Sequence, residues 1–151
     1  MKTFSDLLAT DFYIDISIKL TPVVANGPPH VCVVVNNRTL WDQQLEQQVR
    51  LTHTVGLLDL VNISIKMSNK TYSSTQETAV VIESIQIDDF EIVPNFTQLA
   101  KYTNDANTDI VTTYIGFNGI WALDLLSPFY QWKHQITGQG WLLAPTNQCQ
   151  F

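Results

Sequence analysis

Apolar and polar residues alternate along most of the chain. In residues 12–21, Phe12, Ile14, Ile16, Ile18 and Leu20 interleave with Asp15, Ser17, Lys19 and Thr21. Successive side chains of a strand point to opposite faces, so this spacing predicts a strand with one buried face and one wet face. Pro22 ends the regular run, and Asn26-Gly27-Pro28-Pro29 predicts a loop, because proline lacks the N–H that a ladder needs. His30-Val31-Cys32-Val33-Val34-Val35 predicts the next strand. Asn36-Asn37 predicts a tight type I′ hairpin into Arg38-Thr39-Leu40-Trp41, since asparagine tolerates the positive φ of that turn.

Leu45, Val49 and Leu51 alternate with polar residues and predict a further strand, although the glutamines Gln43, Gln44, Gln47 and Gln48 also suit a helical turn. Val61, Ile63, Ile65 and Met67 give another half-buried strand, and the polar residues 69–76 a loop. Residues 79–87 read as a strand whose phase slips at Asp88-Asp89 before Phe90, Ile92 and Val93, which predicts a bulge or tight turn. Pro94 and the polar stretch 101–109 mark a boundary, beyond which Trp121, Trp132 and Trp141 fall. Strands are expected there at 110–117, 119–126, 129–136 and 140–144, and helix is scarce throughout. The whole predicts an all-β chain: an antiparallel jelly-roll β-sandwich over residues 1–94, followed over 95–151 by an aromatic-rich C-terminal β segment that packs on the sandwich or on a partner.

Composition narrows the function. The chain has 151 residues, 8 Lys and Arg against 14 Asp and Glu, and a net charge of −6. Such a balance repels phosphate backbones, so no nucleic-acid partner is expected. Only 15% of residues are charged while amides and hydroxyls abound, as on a surface packed against something. No apolar run reaches the ~20 residues of a membrane span, and no signal-peptide core follows Met1, so synthesis in a reducing cytoplasm is expected. Cys32, inside its valine run, is expected to be a buried reduced thiol, and Cys149 is no structural staple. The N-x-S/T sequons at Asn37, Asn62, Asn69 and Asn95 are accidents of an Asn- and Thr-rich chain.

Candidate chemistry is thin. His30, His53 and His134 sit on separate elements, without partners at zinc-ligand spacing. No nucleophile motif, phosphate loop or paired catalytic acid is recognisable, so an enzyme is not expected. Glu77, Asp88 and Asp89 are the calcium candidates, because hard oxygen ligands at a sandwich edge suit that ion; a solvated turn explains the aspartates equally well. Trp121, Tyr130, Trp132 and Trp141 fit three roles: ordinary core, protein-interface anchors, or a platform on which sugar rings stack.

Two stretches carry family resemblances. The hairpin Val33-Val34-Val35-Asn36-Asn37 and the late strand Val80-Val81-Ile82-Glu83-Ser84-Ile85-Gln86-Ile87-Asp88-Asp89, within residues 11–93, resemble the small calcium-dependent xylan-binding modules. Where those modules carry an Asp- and Asn-rich calcium loop, this chain has Ser74-Thr75-Gln76-Glu77-Thr78. The resemblance implies glycan binding. Tyr114-Ile115-Gly116-Phe117-Asn118-Gly119-Ile120-Trp121, Ser127-Pro128-Phe129-Tyr130-Gln131-Trp132 and Gly140-Trp141-Leu142-Leu143-Ala144-Pro145 are similar to the C-terminal part of small virion structural proteins of marine tailed bacteriophages, of cyanophage type. This second resemblance implies a non-enzymatic component of a phage particle.

The leading expectation is therefore a virion structural protein, a capsid decoration or tail-attached component made in the host cytoplasm. It would act as a homo-oligomer through contacts with other virion proteins. The alternative is a glycan-binding module that recognises host-surface glycans and aids adsorption. No cofactor is expected beyond calcium, and no membrane insertion.

Overall fold

Asn36 and Asn37 adopt φ of 49° and 67°, the left-handed pair that a type I′ turn requires. They join β2 (His30–Val35) to β3 (Arg38–Gln44), with Val35 opposite Arg38. Asp88 and Asp89 repeat the device at 46° and 68°, turning β6 (Ala79–Ile87) into β7 (Phe90–Val93). The phase slip in the sequence is this turn. The structure, a computed structural model, describes residues 13–70, 77–93, 95–104 and 109–137.

The remaining strands are β1 (Tyr13–Val23), β4 (Val49–Gly56), β5 (Asn62–Ser68), β8 (Ala100–Asn104), β9 (Asp109–Ile110), β10 (Tyr114–Ile115) and β11 (Gly119–Asp124). All strand pairs are antiparallel. One sheet runs β10-β6-β1-β4, with β7 also on β6; the other runs β3-β2-β5-β11-β8-β9. The jelly-roll β-sandwich expected from the alternation is what the chain forms. Ile14, Ile16, Ile18 and Leu20 of β1 face Val31, Val33, Val35, Ile63, Ile65 and Met67 across the buried core. On β6 a register shift opposite Lys19 and Leu20 inserts one residue, so that Ile82 and Ile85, three apart, both turn inward.

The strands beyond residue 95 are built into both sheets: β11 lies between β5 and β8, and β10 pairs with β6. At the β8–β11 crossing the backbones approach closely, and a Cβ on Gly119 would stand 2.6 Å from Asn104 Cα. Only glycine fits there. Tyr102 is buried nearby. Its hydroxyl donates to the Phe117 carbonyl at 2.6 Å and accepts from the Phe117 N–H at 2.9 Å.

Two expectations are corrected. Residues expected as a strand over 129–136 form α1 (Phe129–Thr137). Phe129, Trp132 and Lys133 follow i, i+3, i+4 spacing, so helix buries both aromatic rings on one face, whereas a strand would place them on opposite faces. Cys32 is half-buried on the outer face of its sheet, paired across strands with Asp42 and Lys66. Even-numbered residues of the valine run point outward there. Partial burial, then Asp42, pushes the thiol above its ordinary 9.0, with Lys66 opposing. The strand expected at 140–144 and Cys149 lie outside the described residues.

Candidate functional site

Trp121 is 1% exposed on the inner face of β11, and its indole N–H donates to the Thr112 carbonyl at 3.0 Å. Trp132, 7% exposed, packs in an aromatic cluster with Phe90, Phe96 and Phe129. A buried ring has no face left for a sugar or a partner, so within this fold both tryptophans act as core. Tyr130 packs on Phe129, with Lys133 5.7 Å from its ring centroid. Its hydroxyl donates to Asp88 Oδ2 at 2.8 Å. Burial, then the Asp88 hydrogen bond, pushes that phenol up to about 12. Trp141 lies outside the described residues.

The calcium candidates do not converge. Glu77 stands before the first residue of β6 and Asp88 after its last, with nine strand residues between them. At ~3.3 Å per residue that is roughly 30 Å, far beyond one coordination sphere. Glu77 is paired with Lys70, whose ammonium also donates to the Gly116 carbonyl and whose side chain is 8% exposed. The Lys70 hydrogen bond holds the Glu77 carboxyl below its ordinary 4.5. Asp88 is also committed: Oδ1 accepts from the Asp15 amide at 2.7 Å and Oδ2 from Tyr130. Asp15, Asp88 and Asp89 border one small hollow with Ser17 and Gln86. Among the described residues no three His, Cys, Asp or Glu side chains come together to hold a metal, and Glu77 shares no coordination sphere with Asp88 and Asp89. Residues 74–76 of the expected calcium loop lie outside the described residues.

A better candidate sits where the edge strands β3 and β4 of the two sheets approach. Their connection, residues 45–48, is anchored by Leu45, which is fully buried and donates its N–H to the Pro29 carbonyl at 2.8 Å. The flanking side chains are thereby left around a shallow groove lined by Trp41, Gln43, Gln44, Glu46, Gln47, Gln48 and Val49. A second hollow shares Gln43, Gln44 and Glu46 and adds His30 and Asp42, whose side chains meet at 2.8 Å. Trp41 is half-buried, one side on the core, and its indole N–H donates to the Gln43 carbonyl at 3.1 Å. That bond fixes the ring's orientation. Gln48 is steadied by donating to Thr21 Oγ1 at 3.0 Å. No Lys or Arg lines either hollow.

Sequence patterning places Trp41 on a strand and gives the glutamines to a strand or a helical turn, without marking a groove. A signal was present: a tryptophan set apart from the C-terminal cluster and followed within seven positions by four glutamines.

The groove thus joins a half-buried aromatic ring to a border of amides on a two-sheet sandwich. Solved structures with this fold include vCBM60 in its selenomethionine form, described with two families of calcium-dependent carbohydrate binding modules linked by circular permutation. It is 14% identical, with a TM-score of 0.50, over 74% of this chain and 90% of that one. vCBM60 in complex with galactobiose is 16% identical, with a TM-score of 0.49, over 73% of this chain and 97% of that one. At such identities the likeness is one of fold. No family model and no curated protein matches the chain.

Proposed function

We propose that the chain is a non-catalytic carbohydrate-binding module that seats a neutral sugar on Trp41. The observation that carries this reading is the half-buried indole, its orientation fixed, in a groove of glutamines. The C–H face of a pyranose is apolar and stacks on an aromatic ring, while each glutamine amide offers a donor and an acceptor to neighbouring hydroxyls. The absence of Lys and Arg from the lining favours uncharged sugars over acidic ones. The fold shared with vCBM60, a carbohydrate-binding module, supports the same reading by analogy.

The test is a glycan array of neutral and acidic oligosaccharides, galactobiose among them, followed by calorimetric titration of Trp41→Ala with and without a chelator. Loss of an aromatic anchor costs ~2 kcal/mol or more, about thirty-fold in affinity. Binding should fall by that amount, survive chelation, and leave the melting temperature within a few degrees. An array with no binder, or binding indifferent to Trp41→Ala, would overturn the proposal.

A second reading, assembly in a phage particle, draws on one observation. Leu126 is 89% exposed and lines one hollow with the exposed Leu99, a pair of apolar side chains of the kind partner proteins cover. Mass spectrometry of purified particles tests it, and absence from them would defeat it. The fold likeness favours the carbohydrate reading of the two.

A further inference from the structure

We propose that the Trp41 groove is one end of a track along the outer face of β4. Its ligand is a linear chain of several neutral sugar units, lying between Trp41 and Tyr13. This deepens the carbohydrate reading above and rests on it.

The outer row of β4 starts at the groove itself. Gln48, which lines the groove, donates to Thr21 Oγ1 on the outer row of β1, so the groove meets that face. From there the alternation carries Arg50, Thr52 and Thr54 outward, all of them exposed. Their register partners on β1 are Lys19, Ser17 and Asp15. Arg50 leans along the strands and donates to Ser17 Oγ at 2.7 Å, which holds its guanidinium beside the hydroxyls. Thr52, Thr54, Ser17 and Asp15 then border a second hollow. At the far end Tyr13, 62% exposed, lies opposite Gly56. The Asp59 carboxylate stands where a Gly56 side chain would begin and accepts the Gly56 N–H at 2.9 Å.

An aromatic ring thus sits at each end, with hydroxyls, a guanidinium and carboxylates between. The rings suit the apolar faces of pyranoses. The hydroxyls and carboxylates accept from sugar hydroxyls, and the guanidinium, with five N–H donors, has more than its bond to Ser17 uses. β1 and β4 pair through eight consecutive residue pairs without a shift, so the row runs straight. The eight residues of β4 at ~3.3 Å each make a track of roughly 26 Å. One or two sugar rings cannot reach both ends of it, whereas a chain of several can. Lys19 and Arg50 are matched on this face by Asp15 and Asp59, so the charge balance again favours an uncharged ligand.

Calorimetric titration of the full chain with linear galacto-, xylo- and cello-oligosaccharides, each from disaccharide to hexasaccharide, tests this. Tyr13→Ala and a double variant, Thr52→Val with Thr54→Val, are titrated beside the wild type. Valine keeps the branched shape that strands favour, so the double variant should melt with the wild type. In the series that binds, affinity should rise by at least about ten-fold from disaccharide to hexasaccharide. Tyr13→Ala should cost the hexasaccharide about ten-fold and the double variant about two- to ten-fold, with less than about two-fold lost on the disaccharide. A disaccharide that binds, is lost in Trp41→Ala and gains nothing on lengthening would overturn the track while leaving the carbohydrate reading standing. So would a gain with length that both variants leave intact. No binding in any series would overturn both.

Discussion

Replacing Trp132 with alanine removes an indole that is 7% exposed and whose ring centroid lies 5.6 Å from Phe96, 6.0 Å from Phe129 and 6.1 Å from Phe90. A tryptophan buries ~150–250 Å² in such a site, and its truncation also leaves a cavity. Together these cost ~3–5 kcal/mol. In a chain of this size each kcal/mol moves the melting midpoint by ~2–4 °C, so a fall of about 6–20 °C is expected by far-ultraviolet circular dichroism. Urea titration should give a lower midpoint with an unchanged slope. Trp132→Phe keeps a ring in the cluster and should lose less than half as much. Were Trp132 a surface anchor instead, Trp132→Ala would leave the melt unmoved while abolishing association. A midpoint shift of less than about 3 °C would therefore refute the core assignment.

Three further outcomes are expected. Tyr130→Phe removes a hydrogen bond to a carboxylate and should cost ~1.5–3 kcal/mol at neutral pH. In the folded chain the phenol is pushed from 10.0 to about 12, so its contribution is complete below pH 10 and is lost as pH rises toward 12. Denaturation curves of variant and wild type should converge over that alkaline interval; curves that stay parallel would contradict it. Glu77→Gln should flatten the acid limb of the stability profile, because a carboxyl held below 4.5 by Lys70 contributes above that pH and loses its contribution as pH falls through the folded value. Unchanged acid unfolding would show that the Lys70 pair is without effect. Gly119→Ala drives a Cβ to within 2.6 Å of Asn104 Cα and should destabilise by ~3 kcal/mol, read by chemical denaturation; a neutral result would mean that β8 and β11 lie further apart in solution.

The neighbourhood of Trp41 shows how a site stays hidden in a linear reading. Its residues are contiguous, yet the groove exists only because Leu45 plugs the interior and holds residues 45–48 across the gap between two sheets. The C-terminal tryptophans mislead in the opposite way. They are clustered in sequence, but β11 is central in its sheet and α1 lies over the aromatic cluster, so Trp121 and Trp132 are consumed by packing. Aromatic enrichment looks the same for a core and for an interface, since both bury large apolar rings.

What the amino-acid order alone determined is local. The alternation of Ile14, Ile16, Ile18 and Leu20 with polar residues specified a half-buried strand, Asn36-Asn37 a tight turn, and Asp88-Asp89 a bulge or turn. Those features depend on side-chain period and on φ, which each residue carries with it. Only the tertiary structure decided that β11 inserts between β5 and β8, that 129–137 coils into a helix over Phe90 and Phe96, and that Trp41 is left half-buried. Strand neighbours and exposure are set by contacts between residues far apart in the chain, and short apolar segments take whichever local form buries more surface in that setting.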